Sequence, residues 1–364
     1  MASSLSHVKA AMQRRIVRTT EYEWPVQKAR FQRWRGAGES VLSVTQGGTV
    51  HPGEIHAIFV IWQVSHTSWS VWNMLDALDR AGINVALVVN HPLPKDRLEA
   101  LGKRCARVMM RDNSGRDMGG YRDATLLLQK EAAPTRVLYL NDSVYIFERG
   151  LDALVKRLAQ SESDVSAGFE CWRPRHHYQS FCYSVSGNLF HSAVWQGFWK
   201  DYLPVDSRPW AIRKGEIGAS TRMNRSASSI EVIFRPADIS RHLNELQKDE
   251  ISSLIGHMPR PNRVEATEVD RMDRSSLLRE IADQFMTMSQ IHTGGMLFRR
   301  FMDCPLMKRD LVFRDLYSIN EIEILLEELG HEGHLAEILT DLRKKGSGTS
   351  RGSWDRARIR LGIL

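Results

Sequence analysis

Hydrophobic and polar positions follow two alternating patterns between residues 55 and 169. Short continuous runs of β-branched and aromatic residues are typical of buried parallel strands. These runs cover residues 55–62, 83–89, 107–110, 136–140 and 165–169. Between successive runs, apolar residues recur every three or four positions, which is the spacing of a helix with one apolar face. The alternation predicts an α/β fold with an open, mostly parallel sheet and helices on both faces.

The chain outside this alternating region is less regular. Residues 1–50 are expected to form a loosely structured or peripheral N-terminal extension, with a loop in the Gly-, Ser- and Thr-rich segment 36–48. Residues 51–260 form the main domain, and residues 261–345 form a mainly helical C-terminal region that completes it. Residues 346–364 are rich in Gly and Ser and then basic, which predicts a mobile tail.

Two further predictions concern the C-terminal region. Residues 260–274 are polar and contain proline, which favours a flexible insertion. Asn320 stands before a segment with helical periodicity, and Glu323 follows three residues later, which is the spacing of a capping box. We therefore expect a helix that is capped by Asn320.

Composition narrows the class of protein. The 364 residues are 42% hydrophobic and 26% charged, which is ordinary for a globular protein. No apolar run approaches the roughly 18–20 residues of a membrane span, and the N-terminus lacks the apolar core of a signal peptide. The four cysteines form no CxxC pair, so we expect free buried thiols in a reducing compartment. These features predict a cytoplasmic protein.

The net charge of +7 suits an anionic small substrate, an anionic membrane surface or nucleic acid. Nucleic acid is disfavoured because no helix-turn-helix, zinc-finger or RNA-binding pattern accompanies the charge. Basic residues cluster only near the two ends of the chain, at Arg14, Arg15 and Arg18 and beyond residue 343. Peripheral association with the inner face of the plasma membrane therefore stays open as an addition to a cytoplasmic location.

Several common catalytic motifs are absent from the sequence. There is no Walker phosphate loop, no GxGxxG after the first strand and no GxSxG nucleophile elbow. His331-Glu-Gly-His334 lacks the HExxH spacing of zinc proteases, and we interpret it as plain surface. These absences argue against P-loop and dinucleotide-binding proteins.

A glycine-rich turn, Asn113-Ser-Gly115-Arg116-Asp117, stands between a predicted strand and a predicted helix. Glycine lets the backbone turn sharply and approach a ligand closely, and a helix N-terminus presents unpaired N–H groups to an anion. Arg116 adds a planar cation that binds phosphate through two hydrogen bonds. The alternative is a tight turn in which Asp117 only caps the helix and Arg116 lies on the surface.

A second polar cluster, Asn141-Asp142-Ser143, follows the next predicted strand, and no Gly or Pro turn interrupts its apolar flanks. Ligands of α/β proteins bind at the carboxyl ends of parallel strands, so the cluster and the turn are expected to lie side by side at one sheet edge. The Asp142 carboxylate could hold a divalent metal that bridges two phosphates. It could instead bind a ribose or sugar hydroxyl.

The order of these motifs resembles that of nucleotide-sugar glycosyltransferases with the GT-A fold, in which a similar turn precedes a strand that ends in an acidic D-x-D motif. Here Asn141-Asp142-Ser143 stands in the D-x-D place. Over residues 55–325 the chain more closely resembles the rhamnan synthesis protein F family of bacterial polysaccharide glycosyltransferases. The shared motifs are N-x-G-R-D at the turn, N-D-S-V after the strand, Ser186-Gly-Asn-Leu-Phe190, the aromatic helix 195–202, Glu216-Ile-Gly-Ala-Ser220 and Pro305-Leu-Met-Lys-Arg-Asp-Leu311.

The resemblance implies a GT-A-like, Rossmann-like fold and a hexosyltransferase. Such an enzyme would move rhamnose or another hexose from a nucleotide-sugar donor to a growing bacterial surface polysaccharide, either a lipopolysaccharide O-antigen or a capsule. The acceptor would be a glycan or a lipid-linked glycan. Because only Asp142 is acidic in the D-x-D place, use of Mg²⁺ or Mn²⁺ stays open beside a metal-independent reaction.

The resemblance also implies roles for individual residues. Asp142 would bind the metal or the donor sugar, and Asp117 would contact the donor sugar or nucleotide. Arg116 and the helix N-terminus would bind the diphosphate and stabilise its developing charge. His66 would lie over the base, and Glu216 would deprotonate the acceptor hydroxyl in an inverting reaction. The remaining donor-binding candidates are Asn113, Gly115, Asn141 and Ser143.

Other classes of function stay open at this point. A chain with a single acidic residue in the D-x-D place could be a non-catalytic nucleotide-sugar or glycan binding module, or a scaffold in polysaccharide assembly. Glu216 could be a surface residue at a helix end beside Lys214. Lys308 and Asp310 are predicted to form a structural ion pair.

Overall fold

The structure of the chain is a computed structural model. It describes residues 11–12, 15–36, 40–287, 292, 295–330, 332–348 and 351–360. Arg14 of the basic N-terminus and His331 of the predicted surface motif lie outside the described residues.

A mixed eight-stranded sheet forms the centre of the fold. The described residues contain twelve strands, eight of which form this sheet, while β6 pairs with β12 and β8 with β9 in two small separate sheets. The strands are β1 (Val41–Gln46), β2 (Ile55–Ile61), β3 (Asn84–Val89), β4 (Arg107–Arg111), β5 (Arg136–Asn141), β6 (Val144–Ile146), β7 (Val165–Ala167), β8 (Glu170–Cys171), β9 (His177–Tyr178), β10 (Cys182–Ser186), β11 (Ile230–Val232) and β12 (Leu306–Lys308). The sheet has the order β1-β4-β3-β2-β5-β10-β7-β11. Strands β4, β3, β2 and β5 run parallel, as do β7 and β11, whereas β1 and β10 run antiparallel to their neighbours. The prediction of a mostly parallel α/β sheet is confirmed.

Helices connect the strands and make up most of the C-terminal region, as predicted. The α-helices are Trp24–Trp34, Trp69–Arg80, Lys95–Gly102, Arg116–Glu131, Leu151–Gln160, Gly187–Phe190, Ala193–Asp201, Arg208–Trp210, Ile217–Ser226, Pro236–Leu243, Lys248–Gly256, Ala266–Val269, Arg274–Thr287, Gly295–Met302, Ile319–Glu328, Leu335–Lys345 and Ser353–Arg360. Thr19–Glu23 and Ala211–Glu216 are π-helical, and Arg260–Asn262 and Glu332–His334 are 3₁₀-helical. Among the described residues, no helix has the length and apolar character needed to cross a membrane.

Helices cover both faces of the sheet. Side chains of a strand alternate between faces, so Ala57, Phe59 and Ile61 of β2 enter one apolar core while Ile58 and Val60 enter another. The helices over the first face are 69–80, 151–160, 236–243, 248–256 and 274–287, and those over the second are 116–131, 193–201 and 217–226. Burial on both faces explains why the central strands are continuous apolar runs in the sequence.

The N-terminal segment contains more regular structure than predicted. The loop predicted at 36–48 is wrong for residues 41–46, because β1 pairs with β4 at the edge of the sheet. The inward-facing residues Val41 and Ser43 are half-buried, while Leu42 is exposed. The inward-facing positions of this edge strand are therefore not uniformly apolar, and the hydrophobic pattern of the segment did not indicate a strand.

The C-terminal region is also packed more closely than predicted. The flexible insertion predicted at 260–274 is wrong, because Arg263 donates a hydrogen bond to Glu321 and Val269 is buried. Within the predicted mobile tail, residues 353–360 form a helix whose Arg358 pairs with Glu21 at 2.9 Å. In both segments the polar residues that suggested flexibility are held by partners far away in the sequence.

A capping box starts one C-terminal helix two residues earlier than predicted. The Ser318 hydroxyl accepts a hydrogen bond from the Glu321 N–H, and the Glu321 carboxylate accepts one from the Ser318 N–H. The predicted box of Asn320 and Glu323 is therefore wrong. Serine and asparagine cap helices almost equally well, so the spacing alone did not distinguish the two pairs.

Candidate functional site

The Asp142 carboxylate lies in the crevice between β2 and β5, where the strand order of the sheet reverses. In open α/β sheets this position, beyond the carboxyl ends of the strands, is where ligands bind. Asp142 directly follows β5 and is 9% exposed. Its Oδ2 atom accepts hydrogen bonds from the Trp62 N–H at 3.0 Å and from Gln63 Nε2 at 2.5 Å, both just beyond β2. The carboxylate is therefore fixed by the two strands that form the crevice.

Asp117 comes close to Asp142 from the neighbouring helix. It is half-buried at the second position of the helix Arg116–Glu131. Burial and the negative charge of Asp142 raise the pKa of Asp117 to about 7, although Lys308 and Arg116 lower it. A carboxyl group that titrates near neutral pH in a crevice is typical of functional sites.

Lys308 supplies a cation to the same crevice. The strand β12 pairs antiparallel with β6 and places Lys308 opposite Val144. Lys308 Nζ donates a hydrogen bond to Ser143 Oγ at 3.3 Å and lies 4.5 Å from the ring centroid of Phe181. Burial lowers the pKa of this ammonium group. Sequence reasoning singled out the segment of Lys308 but did not assign the residue to the site.

The predicted ion pair between Lys308 and Asp310 is wrong, because Asp310 has other partners. Its carboxylate accepts hydrogen bonds from His292 Nε2 at 3.1 Å and from Arg314 Nε. Although burial raises the pKa of Asp310, these two partners hold it well below its usual range. Burial and the charge of Arg314 lower the pKa of Arg208 to about 10. The wall behind Lys308 is therefore a half-buried network of charges of both signs.

Glu216 faces the crevice from the end of the π-helix Ala211–Glu216. Its Oε1 atom accepts a hydrogen bond from Ser180 Oγ at 2.5 Å, and its Oε2 atom lies 3.8 Å from Nε2 of the buried His177. Its charge contributes to the raised pKa of Asp117. The alternative that Glu216 is a surface residue beside Lys214 is therefore wrong, although sequence spacing could not show which way the side chain points.

The turn before Asp117 is occupied by protein groups rather than open to a ligand. Gly115 and Arg116 both have left-handed φ angles, +73° and +54°. The Gly115 N–H donates to Asp206 Oδ1 at 2.8 Å, and a Cβ atom at Gly115 would lie 2.6 Å from Cβ of Pro204. The Gly115 N–H is therefore already bonded within the protein. Gly115, not Asp117, stands at the cap position of the helix, and no side chain caps it. Arg116 itself is exposed.

The other candidates lie at the same sheet edge with different surroundings. His66 is exposed in the loop after β2, with Nε2 3.6 Å from a carboxylate oxygen of Glu337. Asn113 is exposed, and its carbonyl oxygen accepts the Arg116 N–H. Asn141 is buried, and its Oδ1 accepts the Ser143 N–H at 3.0 Å, which shapes the turn that presents Asp142.

The described part of the chain contains no cluster of three or more His, Cys, Asp or Glu side chains arranged to hold a metal ion. Asp117 and Asp142 provide two carboxylates, and the Lys308 ammonium group is close enough to lower the pKa of Asp117. These residues do not fit a metal site built from protein ligands alone. A divalent cation would need phosphate and water oxygens to complete its coordination.

Comparisons with known proteins give relatives of limited similarity. No family model matches the chain. The chain is 25% identical over 225 residues to uncharacterized protein y4gN of Sinorhizobium fredii (strain NBRC 101917 / NGR234), a match that covers 60% of this chain and 58% of the relative. The match therefore spans less than two thirds of that relative.

Solved structures similar to the chain include several glycosyltransferases. S. aureus TarS 1-349 in complex with UDP-GlcNAc matches with 13% identity and a TM-score of 0.33, over 85% of this chain and 93% of that one. Glycosyltransferase GlyE of Streptococcus pneumoniae TIGR4 matches with 10% identity and a TM-score of 0.30, over 64% of each chain. Mannosyltransferase PcManGT of Pyrobaculum calidifontis, in complex with GDP-Man and Mn²⁺, matches with 11% identity and a TM-score of 0.26, over 97% of each chain. Likenesses of this strength carry no inference about activity, which has to rest on the site itself.

Proposed function

We propose that the protein is a glycosyltransferase that uses a nucleotide-sugar donor. The observation that carries the proposal is the placement of Asp142 in the crevice between β2 and β5, beside Asp117 and next to the Lys308 ammonium group. A carboxylate suits a ribose or sugar hydroxyl, and a buried cation suits a diphosphate. The crevice therefore offers complementary groups to the hydroxyl groups and to the diphosphate of a nucleotide-sugar.

The departing diphosphate is stabilised by the cations at the crevice. Lys308 is held in place by Ser143 and by the ring of Phe181, so it does not have to reorganise as charge develops. Arg116 is exposed at the start of the neighbouring helix, where its side chain can close over the outer phosphate. The Gly115 N–H is not available for this task because Asp206 accepts its hydrogen bond.

Glu216 is the proposed general base of an inverting reaction. Its Oε1 atom is engaged by Ser180, while Oε2 lies 3.8 Å from His177 and is the oxygen that takes the proton of the acceptor hydroxyl. The acceptor oxygen then forms a bond with the anomeric carbon of the donor as the bond from that carbon to the diphosphate breaks. Asp142 and Asp117 orient the donor and do not take part in this proton transfer.

Divalent metal use stays open in this proposal. Asp142, and Asp117 beside it, would hold Mg²⁺ or Mn²⁺ jointly with the phosphates of the donor, and the ion would neutralise diphosphate charge. Lys308 provides charge of the same sign without a metal. No step above depends on the ion.

The substrates and the location are proposed from the sequence motifs. The likeness to the rhamnan synthesis protein F family supports transfer of rhamnose or another hexose to a bacterial surface polysaccharide, with a glycan or lipid-linked glycan as acceptor. A cytoplasmic enzyme that meets this acceptor at the inner face of the plasma membrane agrees with the composition. The base of the donor is placed under the loop that carries His66.

Calorimetric titration with a panel of nucleoside diphosphates, with Mn²⁺ or with EDTA, tests the donor site. One nucleotide should bind, and its sugar conjugate should turn over. Asp142→Asn should lose donor binding and activity, whereas Glu216→Gln should keep binding and lose about 10²–10⁴-fold in kcat. Asp96→Asn, a change of an exposed aspartate, is the control and should leave both unchanged.

Two outcomes would overturn parts of this proposal. If no nucleotide binds at millimolar concentration, the crevice is not a donor site. Binding without turnover of any sugar conjugate would favour the other candidate function, a non-catalytic nucleotide-sugar binding module in polysaccharide assembly, which the single acidic residue in the D-x-D place supports.

A further inference from the structure

The N-terminal helix Trp24–Trp34 exposes three large aromatic side chains. Trp24 is 70% exposed, Phe31 54% and Trp34 80%, and the ring centroids of Phe31 and Trp34 are 5.8 Å apart. Val26 is the buried residue that anchors this helix to the protein. Exposure of large aromatic side chains to water is unfavourable. Several exposed aromatic residues on one helix therefore indicate a surface that binds another molecule.

The same helix is strongly basic. Lys28, Arg30, Arg33 and Arg35 are exposed between and beside the aromatic residues, and the sequence from Trp24 to Arg35 contains no acidic residue. Arg30 and Arg33 also line a cleft of about 700 Å³ between this helix and the helices behind it. Lys214 and Arg222 line the same cleft, together with the apolar residues Val194, Phe198, Leu203 and Trp210. The cleft also contains one acidic residue, Asp201, so the surface combines exposed aromatic rings with a net positive charge.

We propose that the exposed face of this helix docks on an anionic lipid bilayer. The docking face consists of Trp24, Lys28, Arg30, Phe31, Trp34 and Arg35, whereas Arg33 faces the cleft. Tryptophan and phenylalanine insert into the boundary between headgroups and acyl chains, while Lys and Arg contact anionic headgroups. A second copy of the chain does not fit this face, because a symmetric contact would bring like charges together.

The segment directly before the docking helix contacts the part of the chain that leads to the candidate site. The Ser207 hydroxyl donates a hydrogen bond to the Glu21 carbonyl oxygen, and the rings of Tyr22 and Trp210 lie 5.7 Å apart. Asp206, which directly precedes Ser207, accepts a hydrogen bond from the Gly115 N–H in the turn of the candidate site. If the proposed function holds, docking would bring the crevice to the surface where a lipid-linked acceptor lies. The docking itself requires no catalytic activity.

Co-sedimentation with vesicles tests the proposal. The full chain should sediment with vesicles that contain phosphatidylglycerol and stay in solution with phosphatidylcholine alone, and high salt should weaken the binding. Neutralising one basic residue near an anionic surface weakens binding by roughly fivefold, so a triple change should weaken it by roughly a hundredfold. Insertion of the aromatic residues should shift tryptophan emission to shorter wavelength. The test variants are Lys28→Gln/Arg30→Gln/Arg35→Gln and Trp24→Ser/Phe31→Ser/Trp34→Ser.

A matched control replaces exposed apolar residues outside the docking face. The control variant is Leu42→Ser/Val50→Ser/Trp172→Ser, whose side chains are 55%, 71% and 46% exposed. It should bind like the wild type, and so should Asp142→Asn, because the docking face does not depend on the site. Circular dichroism and analytical ultracentrifugation check that each variant is folded and has the wild-type oligomeric state.

Three results would refute the docking face. The first is that the wild type does not bind vesicles with phosphatidylglycerol. The second is that the control loses as much binding as the two test variants. The third is that the aromatic variant dissociates a wild-type oligomer, which would show that a second copy covers the face. Since none of these measurements uses a sugar donor, failure of the docking face and failure of the glycosyltransferase proposal are distinguishable.

Discussion

Asp117→Asn should make the protein more stable at neutral pH. Burial and the charge of Asp142 raise the pKa of Asp117 from 3.8 to about 7. The folded protein therefore holds a proton between these pH values that the unfolded chain has already lost. Stability is undiminished below about pH 4 and falls as the pH rises towards 7, because the ionised carboxylate is disfavoured in the crevice. The neutral asparagine removes this effect.

The size of the gain follows from the pKa. A rise from 3.8 to about 7 corresponds to at most about 4 kcal/mol of unfolding free energy above pH 7. Because Asp117 is only half-buried, solvent screening reduces this value, and we expect about 1–3 kcal/mol. The difference between the variant and the wild type should be close to zero near about pH 4 and largest near about pH 8.

Urea unfolding followed by tryptophan fluorescence across this pH range measures the difference, with EDTA present so that no divalent ion relieves the repulsion. Asp96→Asn is a matched control, because Asp96 also stands at the second position of a helix but is exposed. The control loses a favourable helix-end charge and should become less stable by about 0.3–1 kcal/mol. A difference for Asp117→Asn that is independent of pH, or a variant less stable than the wild type near pH 8, would show that this carboxylate is not under electrostatic strain.

Three further predictions concern the turn, the C-terminal cap and the site cation. Gly115→Ala should destabilise the protein by about 1–3 kcal/mol in urea unfolding, since the residue has φ +73° and its Cβ would clash with a proline; Gly102→Ala, where nothing lies within 4 Å, should not destabilise it. Although burial raises the pKa of Glu321, hydrogen bonds from serine and arginine lower it to about 2, so Glu321→Gln should lose about 1–2 kcal/mol at pH 7 and progressively less as the pH falls from about 4 to 2. Glu323→Gln should have little effect on stability. A loss as large as that of Glu321→Gln would show that Asn320 and Glu323 form the capping box instead. Lys308→Met removes the cation that most lowers the pKa of Asp117. In this background the gain from Asp117→Asn should still begin near about pH 4 but level off about one pH unit higher and at a larger value, and an unchanged upper limit would place the cation elsewhere.

The elements around the crevice were predictable because their signals are local. The runs that became β2 and β5 are buried on both faces, so their sequences are continuously apolar and unambiguous. The edge strand β1 was missed because one of its faces is open to solvent and its pattern is irregular. Polar groups in segments 260–274 and 353–360 are bound by distant partners, and polarity indicates exposure only when no such partner binds them.

The site was predictable in position but not in composition. Asp142 was found because it directly follows a buried strand, and chain connectivity alone places it at the sheet edge. Lys308 was interpreted as the partner of Asp310 because the two are neighbours in sequence, yet its position is set by the pairing of β12 with β6. The direction of the Glu216 side chain likewise depends on Ser180, which belongs to another part of the chain.

By itself, the sequence determined which segments are strands and helices near the crevice, that the sheet is mostly parallel, and that a glycine-rich turn and an aspartate meet at its edge. These properties follow from periodicity and connectivity, which act over a few residues. The tertiary structure decided that Pro204 and Asp206 occupy the space and the N–H at Gly115, and that Lys308 and Glu216 complete the crevice. Such contacts join residues far apart in the chain, and their geometry is fixed only when the sheet registers and the helices pack.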